Sequence, residues 1–235
     1  MITINNLGKK FARRLILSGI NLEIPDGSLF SLLGPNGSGK TTLLKSLLGI
    51  ISPSPGSEIS FDGQNAIGNN DFKHHVGFMS QFPKFPAHLK VHEFISLMER
   101  LRGRKGIHNE KLISDLGITP FWNRTIGHLS GGMLQKVNIL QCFMYDHTSF
   151  ILDEPTSGLD PLVAFTLKNM MREKKGKATV IFTSHVMSEV EELADQMALM
   201  IEGKIYTVIS PQKLKTQQKA ATLEAALHDF WKGVK

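Results

Sequence analysis

The chain has 235 residues, 41% of them hydrophobic, a formal net charge of +6 and one cysteine. That length suits one large domain, or one domain with a subdomain, around a core that needs no covalent staple. Lone Cys142, in an apolar helical run, excludes an internal disulfide; no stretch reaches the roughly 18 apolar residues of a bilayer span, and residues 2–7 read as strand rather than leader, so a cytoplasmic protein is expected. The positive charge admits nucleic acid or an anionic membrane surface as a partner. The basic residues are scattered, apart from small clusters at 100–105 and 172–177, and read as solvated surface.

Residues 2–7 and 15–24 read as two strands of an antiparallel edge subdomain, the second ending in the turn Pro25-Asp26-Gly27. Phe11 lies between them, placed either to stack on an adenine or to pack on a hairpin. Residues 28–33 form an apolar run expected to be a buried strand, and residues 42–49, from Thr42, have helical spacing. Between them stands Gly34-Pro35-Asn36-Gly37-Ser38-Gly39-Lys40-Thr41. Strand, glycine-rich loop and helix together make this a phosphate site: glycines let backbone N–H groups converge, and the helix dipole points at the same spot. Lys40 would reach the β- and γ-phosphates, and the Thr41 hydroxyl would bind Mg²⁺.

Residues 59–62 and 76–80 read as strands, with Gln81 at the carboxyl end of the second, where open α/β sheets gather ligands. The segment Phe82-Pro83-Lys84-Phe85-Pro86 can be neither helix nor central strand. Its aromatics suit either a docking surface or local packing. Helices are expected at 91–101, 111–116 and 133–145, so residues from about 82 to 145 look like a helical insertion into the main sheet. Ser130-Gly131-Gly132 opens the last of these helices and offers a second anion site. Residues 149–152 form an apolar strand ending in Asp153-Glu154. Asp153 would hold Mg²⁺ through water, and Glu154 would polarise the attacking water. A turn-rich loop with Ser157-Gly158-Leu159-Asp160 leads to a helix at 162–174 and a strand at 178–182. Thr183-Ser184-His185 comes next, with His185 placed for a γ-phosphate contact. A helix at 186–194, a hairpin at 197–201 and 204–209, and helices from Pro211 and at 222–231 complete the chain. Adjacent His74 and His75 rarely chelate one ion, and His88 precedes the helix carrying His92, so neither pair is read as a metal site.

In this order and spacing, Gly34–Thr41, Gln81, Leu129-Ser130-Gly131-Gly132, Phe150-Ile151-Leu152-Asp153-Glu154, Asp160 and His185 resemble the ATP-binding cassette (ABC) ATPases over about residues 1–210. The resemblance implies an α/β fold of the P-loop NTPase (RecA-like) type: a mixed sheet core with an antiparallel β subdomain and a helical subdomain, and a helical tail at 211–235. It implies ATP and Mg²⁺ as cofactors, the metal near Thr41, Gln81 and Asp153. Gln81 would sense a membrane partner, His185 would be the switch histidine and Phe11 the adenine-stacking aromatic. Cassettes of this family pair head to tail, so Ser130, Gly131 and Gly132 of one would hold the γ-phosphate bound to the other, with Asp160 communicating across the interface. The partners expected are therefore a second cassette and an integral-membrane permease, placing the chain peripherally on the inner face of the membrane; no nucleic acid is expected. One departure is Met133, where the family usually has Gln; Gln135 stands two residues later.

Gln135-Lys136-Val137-Asn138 and Thr222-Leu223-Glu224-Ala225-Ala226 resemble single-cassette ATPases that serve ABC-2-type permeases. Residues 140–145 and 184–192 resemble the subgroup that supports nitrous-oxide reductase maturation, usually described with copper-site assembly and a periplasmic partner. A non-transport ABC ATPase acting on ribosomes or DNA is the alternative the charge leaves open. The ribosomal type has two cassettes in one chain and the DNA-repair type long coiled coils. A P-loop phosphotransferase is opposed by Ser130-Gly131-Gly132 and Glu154.

Overall fold

The computed structural model describes residues 1–107 and 109–234. His108, within the expected helical insertion, and Lys235, the last residue of the expected tail, lie outside the described residues. The strands are β1 (Ile2–Phe11), β2 (Arg14–Ile24), β3 (Leu29–Leu33), β4 (Glu58–Phe61), β5 (Gln64–Asn65), β6 (Val76–Met79), β7 (Ser149–Leu152), β8 (Thr179–Thr183), β9 (Gln196–Ile201) and β10 (Lys204–Ile209). The helices are α1 (Lys40–Leu47), α2 (Val91–Arg102), α3 (Asn109–Asp115), α4 (Gly131–Phe143), α5 (Pro161–Lys174), α6 (Met187–Leu193), α7 (Pro211–Gln218) and α8 (Leu223–Val234).

The main sheet has the order β10-β9-β3-β8-β7-β6, parallel from β9 to β6 with β10 antiparallel at one edge. Every residue of β3, β7 and β8 is buried, the pattern of parallel strands covered on both faces. The period-2 alternation of a strand sorts their side chains into two cores. Phe150, Leu152, Val180 and Phe182 face a core shared with the helices α2 to α8, whereas Ile151 and Ile181 face one shared with α1 and the second sheet. That second sheet, antiparallel in the order β2-β1-β4-β5, is the expected edge subdomain. The α/β class with a mixed core sheet, an antiparallel sheet and a helical layer is thus the observed fold.

Two expected boundaries move for physical reasons. Helix α4 begins at Gly131 rather than 133 because Ser130 is its N-cap, its hydroxyl accepting from the Met133 N–H at 3.3 Å. Strand β1 runs on to Phe11, past the expected end at residue 7, because its polar end still pairs with β2 across two register shifts, Lys9 opposite Leu17 and Phe11 opposite Arg14. The two aromatics of the segment after Gln81 divide: Phe85 packs on Phe94 with ring centroids 4.7 Å apart, while Phe82 is 76% exposed. Cys142 is fully buried and its thiol is pushed up by that burial, as a core residue's would be.

Phe150 is fully buried in β7, stacked on Phe143 of α4 at 4.8 Å between ring centroids. Phe150→Ala is expected to cost about 3–5 kcal/mol, the range for deleting a buried aromatic, and a urea unfolding series of wild type and variant measures it.

Candidate active site

Four parallel strands in the order β3-β8-β7-β6 end at one edge of the main sheet, and each delivers one part of the site. The loop after β3 leads into α1, whose N-cap is Gly39 at φ 105°, a conformation an L side chain rarely adopts. Gly34 is required by a neighbour: a Cβ there would stand 2.0 Å from the Met200 carbonyl oxygen of β9. Lys40 folds back over its own loop, its Nζ donating to the carbonyls of Gly34 at 2.8 Å and Pro35 at 3.2 Å. Burial holds the Lys40 ammonium below its ordinary range, opposed by the negative fields of Glu154 and Asp153. The Ser38 hydroxyl is buried in the same loop without a hydrogen-bond partner.

Strand β7 ends in Asp153, only 5% exposed. Its Oδ2 accepts from the Thr41 hydroxyl at 2.9 Å and its Oδ1 from the Thr183 hydroxyl at 2.8 Å. Glu154 comes next at φ 49°, in the left-handed region, and its N–H donates to Thr183 Oγ1 at 2.8 Å. Its carboxylate meets two partners: Gln81 Nε2 donates to Oε2 at 2.5 Å, and His185 Nε2 pairs with Oε1. A non-glycine residue held at positive φ stores strain, and such strain clusters at functional sites.

These groups line one open cleft of about 460 Å³, with Asn36, Gly37, Gly39, Lys40, Thr41, Thr42, Gln81, Glu154 and His185 in its walls. Arg14 and Ile16 of β2 complete it. The structure therefore brings the phosphate loop, Gln81, Asp153–Glu154 and His185 together. Phe11 is outside the walls of this cleft, half exposed on the β1–β2 hairpin directly across from Arg14, with the Lys9 ammonium 5.0 Å from its ring centroid. Ser130, Gly131, Gly132 and Asp160 are also outside it. Ser130 caps α4, and Asp160 caps α5 by accepting from the Val163 N–H at 3.0 Å. Sequence reasoning assigned no role to Thr183 or Arg14. Thr183 has one legible signal, a hydroxyl closing a buried strand whose centre, Val180 to Phe182, is apolar.

Thr41 Oγ1 and Asp153 Oδ2, 2.9 Å apart, are hard oxygen donors without competing sulfur or imidazole at that pair. This donor set fits Mg²⁺, which is usually held by one or two carboxylates or hydroxyls together with substrate phosphates.

A loop that presents N–H groups and a lysine to phosphate, beside two consecutive carboxylates at the end of another parallel strand of the sheet, defines a P-loop ATPase. The family model described as ABC transporter matches residues 17–157. The chain is 30% identical over 237 residues to the ABC transporter ATP-binding protein YxlF of Bacillus subtilis, covering 99% of this chain and 79% of that one. It is 33% identical over 206 residues to the lantibiotic transport ATP-binding protein SrtF of Streptococcus pyogenes, covering 87% and 89%. A solved structure of the ATP-binding subunit of an ABC transporter superimposes with a TM-score of 0.88 at 23% identity, covering 97% of this chain and 98% of that one. The chain belongs to the ABC transporter family, as an ATP-binding, ATP-hydrolysing subunit. No helix among the described residues is long and apolar enough to cross a membrane.

Thr183→Val keeps the shape of the side chain but leaves Asp153 Oδ1 and the Glu154 N–H without their partner. The expected cost is about 1–3 kcal/mol for the groups left unpaired, read as a lower urea midpoint, together with a fall in steady-state ATP hydrolysis.

Proposed function

We propose that this chain hydrolyses ATP at a composite site shared between two copies and so drives a separate membrane permease. The observation that carries this reading is the division of the anion-binding parts. Ser130, Gly131 and Gly132 open a 13-residue helix, yet they lie outside the cleft that Lys40 lines. A Cβ added at Gly131 would meet nothing within 4 Å, so the backbone there is open to an approaching group. A helix N-terminus open to the surface is an anion site that can receive a phosphate carried by another molecule. A head-to-tail second copy supplies it, with Asp160, at the start of α5, at the junction.

Within the cleft the tasks divide among the groups. The loop from Gly34 to Gly39 and Lys40 bind the phosphates, with Lys40 exchanging its bonds to Gly34 and Pro35 for phosphate oxygens. Thr41 and Asp153 would hold Mg²⁺, with Gln81 contributing, and the ion would supply charge neutralisation at the phosphates. Glu154 Oε1 and Oε2 meet His185 and Gln81, which orient the carboxylate to accept a hydrogen bond from the attacking water. Phe11, across the hairpin from the cleft residue Arg14, would stack on the base.

Residues 1–210 are taken as the ATPase unit, with a helical insertion at about 82–145, and residues 211–235 as an appended tail. The permease partner is inferred from family membership, with the chain peripheral on the inner face of the membrane. Exposed Phe82, directly after Gln81, supports a docking surface there. An ABC-2-type permease is supported by the motifs at residues 135–138 and 222–226. A link to nitrous-oxide reductase maturation and its periplasmic partner has only the resemblance of residues 140–145 and 184–192 behind it.

Glu154→Gln keeps size and removes the charge. The variant is expected to lose at least about 10²-fold in turnover, the usual lower range for a general base, and to elute as a stable dimer with ATP in gel filtration. An ATP-loaded Glu154→Gln protein that stays monomeric would sink the composite site. Phe82→Ala is expected to retain ATP hydrolysis by the isolated chain and to lose co-purification with the permease from detergent-solubilised membranes; undiminished recovery excludes that docking surface.

A further inference from the structure

Strand β6 is the outer strand of the main sheet on the side away from β10. Toward β7, the Met79 carbonyl accepts from the Asp153 N–H at 2.8 Å. The alternate carbonyls face outward, where no strand pairs with them among the described residues, and such an edge is ordinarily a liability. Here side chains take the place of a strand. Arg102 donates to Val76 O at 3.3 Å, Gln141 to Phe78 O at 2.6 Å and Asn138 to Ser80 O at 2.9 Å. Gln135 continues the row past the end of the strand, its Nε2 donating to Gln81 O at 2.8 Å.

Three of these side chains, Gln135, Asn138 and Gln141, stand three residues apart on α4 and share one face. They also bond one another. Gln141 Nε2 donates to Asn138 Oδ1 at 3.3 Å, and Asn138 Nδ2 donates to Gln135 Oε1 at 3.1 Å. Asn138 is 1% exposed and Gln135 7%. Buried amides with their bonds satisfied hold one geometry, since any shift leaves a polar group unpaired. The row starts one and a half helical turns from Ser130, on the same helix, and ends on the residue whose side chain meets Glu154 at 2.5 Å.

We propose that Gln135, Asn138 and Gln141 are positioning residues that lock the backbone from Phe78 to Gln81 onto α4, with Gln135 holding Gln81 itself. Helix α4 then presents Ser130, Gly131 and Gly132 to one nucleotide while holding the Gln81 amide against the Glu154 carboxylate at the other. Engagement of Ser130 across the dimer is felt at Gln81 through Gln135, which Asn138 braces and Gln141 braces in turn, rather than through the loop. A row that only protected the edge of the sheet would support folding without acting through Gln81. The inference rests on the reading of Gln81 as the amide that orients Glu154.

The test compares full-length wild type, Gln135→Met, Gln81→Ala and the double variant for kcat and KM of ATP hydrolysis, with thermal melting of each. Gln135→Met is expected to lower kcat about tenfold, within the span of couplings between bonded neighbours, with KM for ATP changed less than about twofold. In the Gln81→Ala background the same substitution is expected to cost less than about twofold, because the group it acts through is gone. Gln135→Glu, which retains the acceptor for Asn138 and replaces the amide donor to Gln81 O, takes the place of Gln135→Met if that variant fails to fold. A substitution at Gln135 that lowers the melting midpoint while leaving kcat intact overturns the inference, as do losses that multiply in the double variant. A Gln81→Ala enzyme with wild-type kcat overturns instead the reading of Gln81, and the inference with it.

Discussion

Much of the nucleotide end of this molecule depends on one buried carboxylate. Asp153 is 5% exposed, and its two oxygens accept from Thr41 and Thr183, hydroxyls belonging to α1 and to β8. A buried carboxylate without such donors would cost several kcal/mol or take up a proton. The pairing thus fixes where the phosphate-loop helix sits relative to the two central strands. Thr41, the residue that would share Mg²⁺ with Asp153, is held at hydrogen-bonding distance from it.

The threonine on β8 also shapes the turn at Glu154. Thr183 Oγ1 accepts from the Glu154 N–H, which holds that residue at φ 49°. A backbone turned into the left-handed region costs of order 1–3 kcal/mol and persists only where its surroundings over-determine it. Here the turn delivers the carboxylate to Gln81 and His185, from strands on either side of β7. Two adjacent acidic residues consequently face different partners: Asp153 meets hydroxyls in the interior, and Glu154 opens on the cleft.

The helical layer contributes on the other side. Ser130 and Asp160 each cap a helix of their own chain, so both side chains are held in place by local hydrogen bonds. Where the family usually has Gln, Met133 packs against the helical core, and Gln135 instead reaches back to the Gln81 carbonyl. The amide function near this helix start is therefore directed inward, toward the sheet.

Local chemistry was legible in the sequence. The loop from Gly34 to Thr41 announced a phosphate site because its glycines, lysine and threonine act within a few residues of one another, between a strand and a helix whose patterns are also local. The centres of the central strands were legible for the same reason, because burial on both faces demands unbroken apolar runs such as residues 149–152. Ends were less so: the polar residues from Gly8 to Lys10 belong to β1 only because β2 pairs with them. Thr183 carried almost no signal, since its partner Asp153 lies 30 residues away and meets it only when β7 and β8 align. Nothing in the residue order joins Gln135, Asn138 and Gln141 to the carbonyls of Gln81, Ser80 and Phe78, which only the packing of α4 beside β6 brings within reach. Sequence alone determined the chemistry available to this chain, because side-chain type and short spacing are properties of the covalent chain. Which groups meet was decided by the tertiary structure, because the parallel sheet brings residues from distant segments within hydrogen-bond reach and leaves Ser130 outside the cleft.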